Sequence, residues 1–175
     1  MDTVFFRTVI LWAVFFICLL SPSSNIKAEL YEVRSYILDV DSDEDAVDEY
    51  ISHALIPALK RHGIGPVGAF TNAPSDEAES KTVFVIIPHE DPSAMAHDRD
   101  VIQSDQQYQG DAAAFFARGN RDKSYQRISS ELLVAMECWP KVKVPAGVTL
   151  NKNRVYELRV YESAHEKLGQ LKVDM

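Results

Sequence analysis

Three alternate residues of LYEVRSYIL, namely Glu32, Arg34 and Tyr36, bring a carboxylate, a guanidinium and a phenol together on one short stretch. In an extended strand, residues two apart share a face, at steps of about 6–7 Å. On a cavity wall, Arg34 could hold an acidic group bidentately and Tyr36 could donate to a carbonyl or enolate oxygen. Glu32 could act as a base if burial raised its pKa. The structural alternative is a Glu32–Arg34 salt bridge with Tyr36 closing the end of the fold. The trio recurs as Glu157, Arg159 and Tyr161, and recurrence favours a packing role common to both places.

The histidines supply the other candidates. His53 follows Tyr50 by one helical turn, and an imidazole facing a pocket beside a phenol is a suitable general base near neutral pH; the alternative is a solvated residue on a helix flank. His62, beside Lys60 and Arg61, suits the C-terminal end of a helix dipole. HEDPSAMAHD holds His89, Glu90, Asp91, His97 and Asp98, but His89 and His97 lie eight apart across a strand end and a turn, which matches no standard ligand pair. No metal is expected there, and Asp91 reads as a helix cap. GIGPVG contains Pro66 and lacks the lysine of a phosphate loop, and there is no GxSxG, CxxC or HExxH pattern. No cofactor is therefore expected. Trp139 reads as a plug at a strand end, or with Phe115 and Phe116 as the lining of an apolar ligand pocket.

These residues must be positioned by a chain of 175 residues with a formal charge of −8. Arg7, the apolar run from Thr8 to Leu20 and the polar SPSSNIKA have the layout of a secretory signal over residues 1–28, with Ala28 at the cut. The run is too short for a comfortable bilayer span, so a secreted or periplasmic product with no stable membrane span is expected. Without Arg7, Lys27 and Asp2, the 18 basic and 26 acidic residues become 16 and 25, a charge of −9. Such an acidic chain lacks the basic footprint of a nucleic-acid binder. One cysteine, Cys138, remains, which excludes an intramolecular disulfide and reads as a small buried residue at a strand end.

Periodicity gives the elements. Leu30 to Ile37 alternates as a strand. A helix follows from a capping box at Ser42 and Asp45, burying Val47, Ile51, Ala54, Leu55, Ala58 and Leu59 and ending at Gly63; Pro57 predicts a kink or break one turn earlier. GPVGAFT reads as a short second strand, APSDEAES as a turn, and KTVFVIIPH as an apolar, central third strand. Asp91 and Pro92 open a helical region that runs in pieces to Arg118, with Gly110 as the interruption and DAAAFFAR as its best-formed part. RISSELLVAMECWP is a fourth strand ended by Pro140. The order βαββαβ is the ferredoxin-like arrangement, an α+β fold whose antiparallel sheet carries both helices on one face. The bare face then needs a partner, and a homodimer through it is expected.

VYELRVYES, from Val155, repeats LYEVRSYIL at a constant offset of 125 residues. The expectation is a domain over 29–140, a linker over 141–153, and over 154–175 the first strand and partial helix of a second copy, capped by Ser163 and Glu166 and truncated at Met175. The paired YE[VL]R.Y openings, ISHALIPALKRHG, GPVGAFTNA and VFVIIPHEDPSAM together resemble the NIPSNAP family. The resemblance implies tandem ferredoxin-like halves of the dimeric α/β barrel superfamily, but no settled reaction: its better-known members are described as scaffolds, while the superfamily also holds cofactor-independent monooxygenases and haem enzymes. Two functions follow. One is an exported, self-associating module that binds a partner or a small hydrophobic ligand through Glu32, Arg34, Tyr36, Tyr50, His53 and Trp139. The other is a cofactor-independent monooxygenase or isomerase for a small hydrophobic carbonyl or phenolic compound, which requires Arg34, Tyr36 and His53 to point into a closed cavity. A haem barrel is a third option, with His53 or His97 as the axial ligand.

Overall fold

The computed structural model describes residues 28–72, 81–118, 123–147 and 155–174. Residues 1–27 of the expected export signal and the expected APSDEAES turn lie outside them. No helix of the described residues is long and apolar enough to cross a membrane.

Four strands form one open antiparallel sheet. Strand β1, Leu30–Leu38, lies between β3, Lys81–His89, and β4, Arg127–Val134, while β2, Gly68–Thr71, borders β3, giving the order β2-β3-β1-β4. This order and the alternation of strands with helices are compatible with a ferredoxin-like fold. The apolar β3 is internal, as its sequence predicts, but β4 ends at Val134 rather than at Pro140. After it the backbone stays near β1 through Ala135 N–H donating to the Glu29 carbonyl at 2.8 Å. Cys138 is exposed on the following turn, not buried.

Helix α1 runs without interruption through three segments, Glu44–Glu49, a π-helical Tyr50–Leu55 and Ile56–Arg61. Its cap is Asp43, which accepts from Ala46 N–H at 3.1 Å; Ser42, the predicted cap, instead bonds Asp39. Glu44 and Asp45 still fill the first turn, where the dipole favours them. Pro57 has no amide hydrogen for the His53 carbonyl. The helix answers by widening rather than breaking, with Ile56 N–H donating to the Ile51 carbonyl.

Asp91 caps α2, Pro92–Ser104, through Ala94 N–H at 2.8 Å. The interruption expected at Gly110 falls instead at Asp105 and Ala112, on either side of α3, Gln106–Asp111, which contains Gly110. Asp105 stops α2 because its carboxylate caps α3 through Tyr108 N–H at 3.0 Å while also accepting from Arg61 at 2.7 Å. The best-formed helix is therefore α2; AAFF contributes only α4, Ala113–Phe116.

One sheet face carries the core. Tyr36, Leu38, Val83, Val85 and Ile87 pack against Val47, Tyr50, Ile51, Ala54, Leu55, Ala58 and Leu59 of α1 and Ile102 of α2. The other face carries Tyr31, Ile37, Phe84 and Ile86, all half-buried. Tyr156 meets Phe70 of this face edge-on at 5.1 Å between ring centroids. The repeated segment from Val155 joins no strand and is exposed. Helix α5, Glu166–Val173, follows it, with His165 rather than Ser163 at the cap position and no side-chain capping bond.

Candidate functional site

The alternation of β1 turns Glu32, Arg34 and Tyr36 toward the helices, not toward the open face. The register sets Glu32 opposite Ile87 and Leu30 opposite His89, so His89 shares the face of Glu32. On α2, Asp98 and Ile102 are one turn apart and face the same way. Between these elements lies a cavity of about 350 Å³, at the small end of the range for ligand sites. Its lining combines the apolar Leu55, Leu59, Ile87 and Ile102 with the charged Glu32, Arg34, His89, Asp98 and Arg99.

Glu32 is the hub. Its side chain is 1% exposed. It accepts from Arg34 Nε at 3.2 Å and from Nη2 at 3.1 Å to both oxygens, from Ser130 Oγ at 2.9 Å and, more loosely, from Arg99 Nη2 at 3.5 Å. His89, 3% exposed, bonds Asp98 Oδ2 through Nδ1 at 2.7 Å. Its Nε2 lies 3.8 Å from Glu32 Oε2, beyond hydrogen-bond distance, and is a buried polar atom without a hydrogen-bond partner.

Burial alone would push the Glu32 carboxyl up, but His89, the Arg34 charge and Ser130 outweigh it and hold its pKa at about 2. This is the reverse of the raised value that a base at Glu32 requires. Burial pushes the His89 imidazole down, and Glu32 and Asp98 outweigh it, so its pKa is raised. His89 therefore favours the imidazolium form, with Nδ1–H on Asp98 and Nε2–H facing Glu32 without a hydrogen bond. Burial likewise lowers the Arg34 pKa, but Tyr36 and Glu32 outweigh it and leave it raised.

Behind the cavity stands a set of phenols. Burial raises the pKa of Tyr36 against the opposing Arg34 charge, and raises that of Tyr50, which Tyr36 and Tyr108 push further. Tyr50 and Tyr108 share a hydroxyl–hydroxyl bond of 2.9 Å, and Tyr50 stacks on Phe115 at 4.2 Å. With their pKa values raised, Tyr36 and Tyr50 build the wall and are poor proton donors.

Of the residues singled out in the sequence, Glu32 and Arg34 line the cavity, and Tyr36 and Tyr50 support it from the core. His53 does not reach it: the side chain is exposed and contacts Ser52 Oγ at 3.0 Å. Trp139 is 59% exposed under Lys143, so neither a plug nor a pocket lining fits it, and His97 is exposed. Among the described residues no cluster of three metal-ligating side chains forms. The sequence does not single out His89 and Asp98 as a pair, nor Arg99 and Ser130. The parity of His89 with Glu32 across the β1–β3 register was the available signal.

The repeated trio shows how far context matters. Arg159 bonds Glu157 at 2.8 Å as Arg34 bonds Glu32, yet the Glu157 side chain is 68% exposed. The ion pair belongs to the motif; the site belongs to the helices that cover it. Comparison of the chain with protein-family profiles and with curated proteins finds no match, so the NIPSNAP resemblance rests on the quoted motifs.

Proposed function

We propose that this chain is a small-molecule-binding α+β domain of ferredoxin-like arrangement that holds a ligand between helices and sheet and associates with a second copy of itself. The cavity carries the first part: lined by both apolar and charged side chains, it suits a compact molecule with a polar head. Saturation-transfer NMR of the folded chain with small aromatic and branched aliphatic compounds tests it. Saturable binding that is lost in Ile102→Trp, which fills the cavity, supports the reading; no saturable binding, or binding unaffected by that change, overturns it.

Self-association rests on β4. This edge strand exposes Ile128, Leu132, Leu133 and Val134, and an exposed apolar edge is a template for pairing. Within the sheet β4 pairs with β1, and Val155–Tyr161 is an exposed near-copy of β1. We read that segment as the opening of a second ferredoxin-like copy, which docks on β4 of the second chain. The leader-like residues 1–28 support an exported product.

A second reading, a cofactor-independent isomerase or monooxygenase for a small hydrophobic carbonyl or phenolic compound, is favoured by the Asp98–His89 hydrogen bond beside the cavity. In it the imidazolium, not Glu32, gives the proton. Turnover abolished by His89→Gln and retained by His53→Ala would support it.

A further inference from the structure

The hydrogen-bond inventory of the cavity narrows the ligand, given the ligand-binding reading above. Glu32 Oε1 takes bonds from Arg34, Ser130 and Arg99, and Asp98 is held by His89. Each carboxylate thus already faces at least one protein cation, Glu32 that of Arg34 and Asp98 that of His89. Donors with capacity left include His89 Nε2, buried without a hydrogen bond and 3.8 Å from Glu32, and Arg99, 52% exposed with a 3.5 Å contact to Glu32. With His89 as imidazolium, three cations (Arg34, His89, Arg99) face two anions (Glu32, Asp98). The charged lining is one negative charge short.

We propose that the cavity selects an apolar monocarboxylate, whose head group accepts from His89 Nε2–H and from the Arg99 guanidinium while its hydrocarbon body packs on Leu55, Leu59, Ile87 and Ile102. The long Arg99–Glu32 contact is the one that yields: Arg99 turns from Glu32 to the ligand and uncovers His89. An unpaired buried donor is costly, and the carboxylate satisfies it with a charge-assisted bond. A phosphate or a short dicarboxylate brings more charge than the missing unit and too little apolar surface for the apolar lining.

Isothermal titration calorimetry at pH 6 tests this with phenylacetate, 4-methylpentanoate and their neutral amides, on the natural chain and on Arg99→Gln, whose exposed side chain can change without unfolding the chain. The acids are expected to bind about 10-fold or more tighter than the amides, and Arg99→Gln to erase most of that preference. In the natural chain the preference declines as pH rises through the titration of His89, followed by its imidazole NMR signals. Glu32 and Asp98 contact His89 directly, and Arg34 from β1, Arg99 and Gln103 from α2 and Tyr108 from α3 line the cavity with it. Amides that bind as well as the acids overturn the carboxylate preference and leave the ligand-binding reading standing. Failure of all four to bind overturns the preference, and the reading falls with it only if the wider NMR screen is also empty.

Discussion

His89 on β3 and Glu32 on β1 stand with Nε2 3.8 Å from Oε2, and each holds the other in its charged form. The pair makes stability depend on pH from both sides. Glu32 has a lowered pKa, from 4.5 to about 2, so its contribution is complete above 4.5 and is lost as pH falls toward 2. A shift of this size corresponds to roughly 3 kcal/mol. His89 has a raised pKa, so its contribution is complete below its ordinary 6.5 and is lost as pH rises through the folded value. Urea unfolding across pH 2–9 should give a maximum between about 4.5 and 6.5. In Glu32→Gln the acid limb should shrink; an unchanged limb would remove Glu32 as its source.

Arg34→Met should destabilise more than its loss of packing explains. The Glu32 side chain is almost wholly buried, and removing Arg34 takes away its bonded cation and leaves only the looser His89 and Arg99 contacts, a loss on the scale of broken buried pairs, about 3–5 kcal/mol. The double variant Arg34→Met with Glu32→Leu should recover much of that loss. Chemical denaturation of the three variants measures the coupling directly.

His53→Ala should leave stability within about 0.5 kcal/mol and leave the affinity for cavity ligands unchanged. The side chain is exposed and bonds only Ser52 among the described contacts. A loss of ligand affinity in this variant would contradict the placement of the site on the helix-covered side of the sheet.

Native mass spectrometry of the chain from residue 29 should show a dimer, and Leu133→Lys should shift it toward monomer by setting a charge on the β4 edge. Deletion of 155–175 should have the same effect. A dimer that survives both changes would place the association elsewhere.

Much of this was legible in the residues. Alternation in LYEVRSYIL put Glu32, Arg34 and Tyr36 on one face, and the apolar spacing from Val47 to Leu59 marked the core side of α1. Other features depend on tertiary contacts. The capping oxygen moved from Ser42 to Asp43 because Ser42 bonds Asp39 instead; local spacing does not rank two adjacent caps. The interruption fell at Asp105, not Gly110, because that carboxylate answers both the α3 amide and Arg61 from a distant helix. A base at Glu32 needed burial to raise its pKa, but His89 and Ser130, remote in sequence, reverse the effect of burial. The strand expected from Val155 has the pattern of β1 without its neighbours, and pairing, not pattern, makes a strand.

The most direct test of the helix–sheet cavity as a ligand site is a ¹H–¹⁵N NMR titration with phenylacetate at pH 6, with the imidazole of His89 observed in the same samples. Saturable shifts concentrated at Leu55, Ile87, His89, Arg99 and Ile102, with the imidazole held protonated to higher pH by the bound acid, are the predicted result. Shifts confined to Phe70, Phe84 and Ile86 on the opposite face, or an imidazole that titrates identically with and without the acid at saturation, would contradict it.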